Sequence, residues 1–162
     1  MIGREDFRAA MAKLAASVHV ITTDGPAGRH GMTATAVCSL SDDPASLLLC
    51  INRKARMHDV LVANRRFCVN VLAAGQEHVS AVFARSGLSI AERFAGAGPV
   101  VELDHGVPAL GEAQIAVLTA VDQVIAAGGH SIFIGHVEQL VPGMGQGALT
   151  YYDRAYFPLK VA

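Results

Sequence analysis

From Arg4 to Ala15 the apolar residues Phe7, Ala10, Met11 and Leu14 recur at spacings of three and four, which predicts a helix with one buried stripe. Ser17 to Thr23 is rich in β-branched residues and stops at Asp24-Gly25-Pro26, a strand followed by a turn. Met32 to Leu40 and Ser46 to Ile51 read as two further strands, an antiparallel pair parted by Ser41-Asp42-Asp43-Pro44, where Pro ends pairing for want of an N–H. Arg56 to Ala63 sets Met57, Val60 and Leu61 at helical spacing, and Phe67 to Leu72 returns to alternation with Phe67, Val69 and Val71 on one face.

In the second half, Gln76 to Ala84 groups Val79, Val82 and Phe83 as a helix, and Ile90 to Phe94 adds a turn before the glycine-rich loop near Gly96. Two long apolar runs, Ala113 to Ala126 and His130 to Val141, flank Ala127-Gly128-Gly129 and form the clearest hairpin of the chain. A short strand near Ala148 to Tyr152 closes the pattern. The count is about six or seven strands and two or three helices, without regular βαβ alternation. The expected fold is mainly β with peripheral helices, an antiparallel barrel. No repeat or low-complexity linker divides residues 1–162, so a single domain is expected.

Composition narrows the function classes. Hydrophobic residues make up 52% of the chain and charged ones 17%, an apolar balance that points to surface covered by another copy. The net charge of −1, with no basic stripe, argues against nucleic acid, whose phosphates need clustered Lys and Arg. Cys38, Cys50 and Cys68 lie in apolar runs without CxxC spacing, as thiols of a reduced, cytoplasmic protein do. No apolar run reaches the length of a membrane span, and the charged start MIGREDFRAA is unlike a signal peptide, so a soluble, unprocessed protein is expected. The seven histidines show neither H-E-x-x-H nor Cys/His ligand spacing, and no metal is predicted. Gly143-Met144-Gly145-Gln146-Gly147 lacks the third-glycine spacing and following helix of a dinucleotide loop and reads as a connection.

Several segments carry a family resemblance when taken in order. They are GMTATAVCSLS (Gly31 to Ser41), LLLCINRKAR (Leu47 to Arg56), FCVNVL (Phe67 to Leu72), QEHVSAVFA (Gln76 to Ala84), GGHSIFIGHVE (Gly128 to Glu138) and LTYYDRAYFPL (Leu149 to Leu159). Together they resemble the flavin reductase-like family, short-chain NAD(P)H:flavin oxidoreductases that include the hydroxyphenylacetate and pyrimidine-degradation reductases. The resemblance implies a Greek-key split β-barrel, homodimeric, with FMN or FAD between the barrel and the partner subunit. It also implies NADH or NADPH as co-substrate and a separate monooxygenase that receives the reduced flavin.

Flavin reduction places negative charge on the N1 and C2 carbonyl side of the ring, which calls for fixed N–H donors. On the family pattern Thr33, Ala34, Thr35 and Ala36 supply them, their small side chains admitting the ring; read alone they are a plain strand. Arg53, Lys54, Ala55 and Arg56 precede a predicted helix, where free N–H groups and cations suit a phosphate, or else form a solvated basic turn. Many relatives carry Ser near Ala55. Asn52 bridges ring and phosphate or ends its strand in an Asx turn. Phe83 and Ala84 stand where relatives touch flavin, although Phe83 also has core spacing.

The resemblance makes His130 the catalytic and nicotinamide-orienting residue, with Tyr152 and Arg154 as further nicotinamide contacts or as dimer contacts. Relatives often have Asp where Gly129 stands. Hydride transfer needs the nicotinamide held about 3–3.5 Å from the ring, so positioning supplies most of the catalysis. Two other readings use the same residues: an enzyme that keeps FMN and reduces another acceptor such as a corrin, and a non-catalytic FMN-binding module.

Overall fold

The computed structural model describes residues 1–160. Helix α1 (Arg4–Met11) leads into strands β1 (Ala16–Ser17), β2 (His19–Thr23), β3 (His30–Ala34), β4 (Val37–Asp42) and β5 (Ala45–Asn52). Helix α2 (Arg56–Asn64), strand β6 (Arg66–Val71) and helices α3 (Glu77–Ala84) and α4 (Ile90–Ala95) follow. A small hairpin, β7 (Val100–Glu102) with β8 (Pro108–Leu110), precedes the long hairpin β9 (Ile115–Ala127) and β10 (His130–Pro142). The described chain ends with β11 (Ala148–Tyr152) and β12 (Ala155–Leu159).

Seven strands form one antiparallel sheet in the order β3-β2-β6-β9-β10-β5-β4. Its two edges, β3 and β4, are consecutive in the chain and joined by Thr35-Ala36 alone. A two-residue link can join opposite edges only if the sheet curls round on itself, so the architecture is a barrel closed by chain and left open between β3 and β4. Inward residues of alternate positions, Ile21, Leu49, Ile51, Phe67, Val69, Val121 and Phe133, fill it, and Met57 and Leu61 of α2 plug one side. Phe67 and Phe133 have no exposed surface. Burial of each such ring stabilises the fold by about 1.5–3 kcal/mol. Leu72, Val79, Phe83 and Leu149 make a second core under α3, where β1, β11 and β12 form a separate sheet.

Several sequence expectations are corrected. Ser17 to Thr23 is not one strand, because the chain changes sheets at Val18, whose N–H bonds Leu149 and whose carbonyl accepts from Leu72. Met32 to Leu40 likewise divides at Thr35-Ala36 into the two barrel edges. α1 ends at Met11 rather than Ala15, and its apolar stripe is not buried within the chain: Phe7 and Met11 are 53% and 43% exposed, and Leu14 just after the helix is 64% exposed. β7, β8 and β12 were not expected, being short or interrupted by Pro; with the two divided strands they bring the described residues to twelve strands, and the α-helices number four.

The expected long hairpin is present. The long hairpin turns on Gly128-Gly129 and pairs His130 with Ala127. The three cysteines are free, and burial pushes the Cys68 thiol up to about 12. The segment from Gly143 to Gly147, expected as a flexible connection, is a packed one, since a Cβ on Gly143 would collide with the Ala113 carbonyl oxygen. No helix of the described residues is long and apolar enough to cross a membrane.

Candidate active site

β3 is an edge strand, paired with β2 on one side only, and α2, α3 and α4 pack against it. Between them runs a groove of about 520 Å³. Of the residues singled out in the sequence, it gathers Thr33, Ala55, Arg56, Phe83 and Ala84. Thr33 and Ala84 also line an adjoining recess of about 240 Å³ with Ala34, Thr35, Ser80 and Tyr156, so the two hollows share a wall along β3. The Thr33 hydroxyl donates to the Ser80 carbonyl at 2.6 Å, and Ser80 Oγ lies 2.8 Å from the Tyr156 hydroxyl, which fixes this wall.

The link Thr35-Ala36 spends its carbonyls inside the protein, accepting from Val37 N–H at 3.0 Å and Cys50 N–H at 2.9 Å. Its two N–H groups have no protein partner among the described residues. Both residues are exposed, and fixed N–H donors of this kind suit a planar ligand with developing negative charge.

Phe83 is 1% exposed, meets Phe94 edge to face at 5.3 Å, and stands where a Cβ on Gly31 would lie, 2.4 Å from its ring. It is both core and groove wall. Gly31 therefore lets the α3 aromatic ring seat directly against the β3 backbone.

The opposite end of the groove is cationic. His30, Arg56, Arg85 and Arg93 line it with Ser86 and Ser89, and among the described residues no carboxylate does. Burial lowers the pKa of His30, and Arg56 and Arg93 lower it further, so the imidazole is neutral at neutral pH. Arg93 is a clamp: Nη1 donates to the Phe83 carbonyl, Nη2 to Arg85 O at 2.7 Å and Nε to Leu88 O at 3.4 Å. A capping box between Ser89 and Glu92 starts α4 and sets this clamp at its fourth residue. Helix α2 begins at Arg56 behind Ala55, which has no side chain to cap the helix and leaves its first N–H groups open to an anion.

The basic cluster is divided. Ala55 and Arg56 face the groove, whereas Arg53 and Lys54 line a separate hollow with His58, Asp59, Gly128 and Gly129. Asn52 makes the Asx turn, its Oδ1 accepting from Lys54 N–H at 2.9 Å. His130 pairs with Asn52 across β5 and β10, and Arg53 N–H bonds the Gly129 carbonyl at 3.0 Å, so the hairpin turn and the basic turn form one unit. Tyr152 and Arg154 lie apart from it on the β11–β12 turn, where Lys13 stands 5.9 Å over the Tyr152 ring and 2.7 Å from Asp153. His30, Arg85 and Arg93 were not foreseen; the S-x-x-E capping signal at Ser89 to Glu92 was the available pointer to Arg93.

Residues 11–160 match the family model described as "Flavin reductase like domain". The chain belongs to this family. Among curated members it is 44% identical over 153 residues to the FMN reductase (NADH) RutF of Pseudomonas syringae, covering 94% of this chain and 85% of that one. The FMN reductase (NADH) RutF of Escherichia coli is 40% identical over 159 residues, with 98% and 96% covered. Among solved structures, a flavin reductase of Haemophilus somnus superposes with a TM-score of 0.92 at 39% identity, over 98% of this chain and 100% of that one. BorF, the flavin reductase component of a bacterial two-component tryptophan halogenase, gives 0.90 at 28% identity, over 99% and 100%. The split barrel is thus the family's fold, and the groove along β3 lies in a flavin reductase domain.

Proposed function

We propose that the protein reduces FMN with NADH and releases the reduced flavin to a separate monooxygenase. The observation that carries this reading is a groove with His30, Arg56, Arg85 and Arg93 at one end, adjoined along β3 by a recess that Thr35 lines beside the unpartnered Thr35 and Ala36 N–H groups. A ring with a phosphate tail fits that polarity, and relatives named as NADH-dependent FMN reductases support the choice of pair.

In this reading bound flavin supplies the hydride acceptor. The residues supply binding and orientation: Thr33 to Ala36 face the electron-accepting ring, while Ala55, Arg56 and the open turn of α2 take the phosphate. Ala84 and the edge of Phe83 limit the ring, and Asn52 joins the two regions through the turn it caps. Arg53 and Lys54 extend the positive field toward His130, which orients the nicotinamide; Tyr152 and Arg154, apart from it within the chain, serve as further nicotinamide contacts only if the second subunit brings them there, and otherwise as dimer contacts. No protein nucleophile takes part. His130→Ala is expected to raise the KM for NADH with little change in FMN affinity.

We infer in addition that the working form is a homodimer. Phe7 and Met11 of α1, Leu14 just after it, Val124 and Ile125 of the long hairpin, and Leu40 and Leu140 are all exposed, apolar side chains that a second copy would cover. Light scattering on the purified chain should give twice the protomer mass.

The first experiment is anaerobic mixing of substoichiometric protein with FMN and NADH, then NADPH, following flavin bleaching. Many turnovers of free FMN are expected. Bleaching of one equivalent alone would favour a retained flavin with another acceptor, and no bleaching would overturn the enzyme reading.

A further inference from the structure

His30 opens β3 at the basic end of the groove. Its Nδ1 is buried against the Gly31 backbone, and the remainder of the half-buried ring lines the groove. The groups that face it are cations, Arg56 from α2, Arg93 from α4 and Arg85 after α3. The acids on neighbouring elements are engaged elsewhere: Glu92 by Ser89, Asp24 and Glu102 by Arg29, and Asp59 by His58. Glu77 and His78 lie at the far end of α3, and His19 at the far end of β2, paired with Ala34 while His30 faces Thr23. Among the described residues, nothing therefore offers His30 a negative charge.

We propose that His30 is a ligand of the flavin's terminal phosphate, binding the dianion as an imidazolium and making the groove selective for the phosphate monoester over unphosphorylated riboflavin. This rests on the flavin reading above. A phosphate monoester carries a charge near −1.5 to −2. Seated among Arg56, Arg85 and Arg93, it screens the cations that oppose protonation of His30 and supplies the missing counter-charge. Phosphate binding and proton uptake are then linked, each strengthening the other. Ser86 lines the same end, where its hydroxyl can donate to the phosphate, whereas the Ser89 hydroxyl is spent on Glu92 in the capping box.

The test is calorimetric titration of the flavin-free protein with FMN and with riboflavin, between about pH 6 and about pH 8, in two buffers of different ionisation enthalpy. FMN should take up a fraction of a proton and riboflavin none. His30→Gln and His30→Asn, checked for native circular dichroism, should abolish the uptake and weaken FMN about ten-fold while riboflavin binding stays within about two-fold, a ten-fold change being well outside such error. The phosphate's own ionisation near about pH 6 is common to wild type and variants, so their difference reports His30. Equal proton uptake in wild type and variants, or equal weakening of FMN and riboflavin, would overturn the assignment. Failure of wild type to bind either flavin would remove the flavin reading itself.

Discussion

His58 Nε2 lies 3.0 Å from Ser131 Oγ and ties the first turn of α2 to the strand that His130 begins. The other ring nitrogen stands 2.9 Å from Asp59, and the imidazole meets Phe133 edge to face at 5.6 Å. Ser131 is 3% exposed, so this bond is made inside the protein and holds the basic turn against the long hairpin. Ser131→Ala removes it and should lower stability by about 1 kcal/mol. Urea unfolding reads that loss. A rise in the KM for NADH larger than any change in FMN affinity would show that the bond positions the hairpin.

Gly31→Ala drives a methyl group to 2.4 Å from the Phe83 ring, and Phe83 is held from behind by Phe94. The ring must leave its place or β3 must move, at a cost of about 1–3 kcal/mol. Lower thermal stability together with weaker FMN binding is expected. A stable variant with unchanged FMN affinity would show that the groove wall yields freely.

Arg93 carries three bonds to the carbonyls of Phe83, Arg85 and Leu88 and so shapes the segment that carries Arg85 and Ser86 into the groove. Arg93→Lys keeps a charge but loses the planar fork. FMN affinity should fall about ten-fold with kcat nearly kept, a difference of about 1.4 kcal/mol. Steady-state kinetics at varied FMN measures the split between KM and kcat.

His19 is 7% exposed, and burial lowers its pKa below the ordinary 6.5 despite an offsetting contact with the Ala34 backbone. The unfolded chain therefore binds this proton at higher pH than the folded chain does. The contribution of neutral His19 is fully present above pH 6.5 and is lost as pH falls from there toward the folded pKa. His30 shifts in the same direction in the free protein. The melting temperature should drop as pH is lowered through this window, and His19→Asn should flatten the slope. A slope unchanged in that variant would assign the acid sensitivity to other groups.

Periodicity made much of the barrel legible. β5, β6, the long hairpin, α2 and α3 appear within a residue or two of the expected bounds, because alternation and 3.6-residue spacing are local consequences of which face is buried. The family motifs likewise brought Thr33, Ala55, Arg56, Phe83 and Ala84 to attention, and all five meet in one groove.

What the sequence by itself determined, then, was which residues face a core and where the chemistry-bearing segments lie. The tertiary structure alone decided where strands change sheets and which charges meet. Val18 and Thr35-Ala36 sit inside continuous β-prone runs, and only their distant partners, Leu149, Leu72 and Cys50, mark the breaks. Arg53 and Lys54 part from Arg56 because the chain turns through an Asx turn into a helix between them. His30, Arg85 and Arg93 belong to three segments that converge only when α3 and α4 pack on β3. Such convergence depends on long-range burial, which no local pattern of side chains encodes.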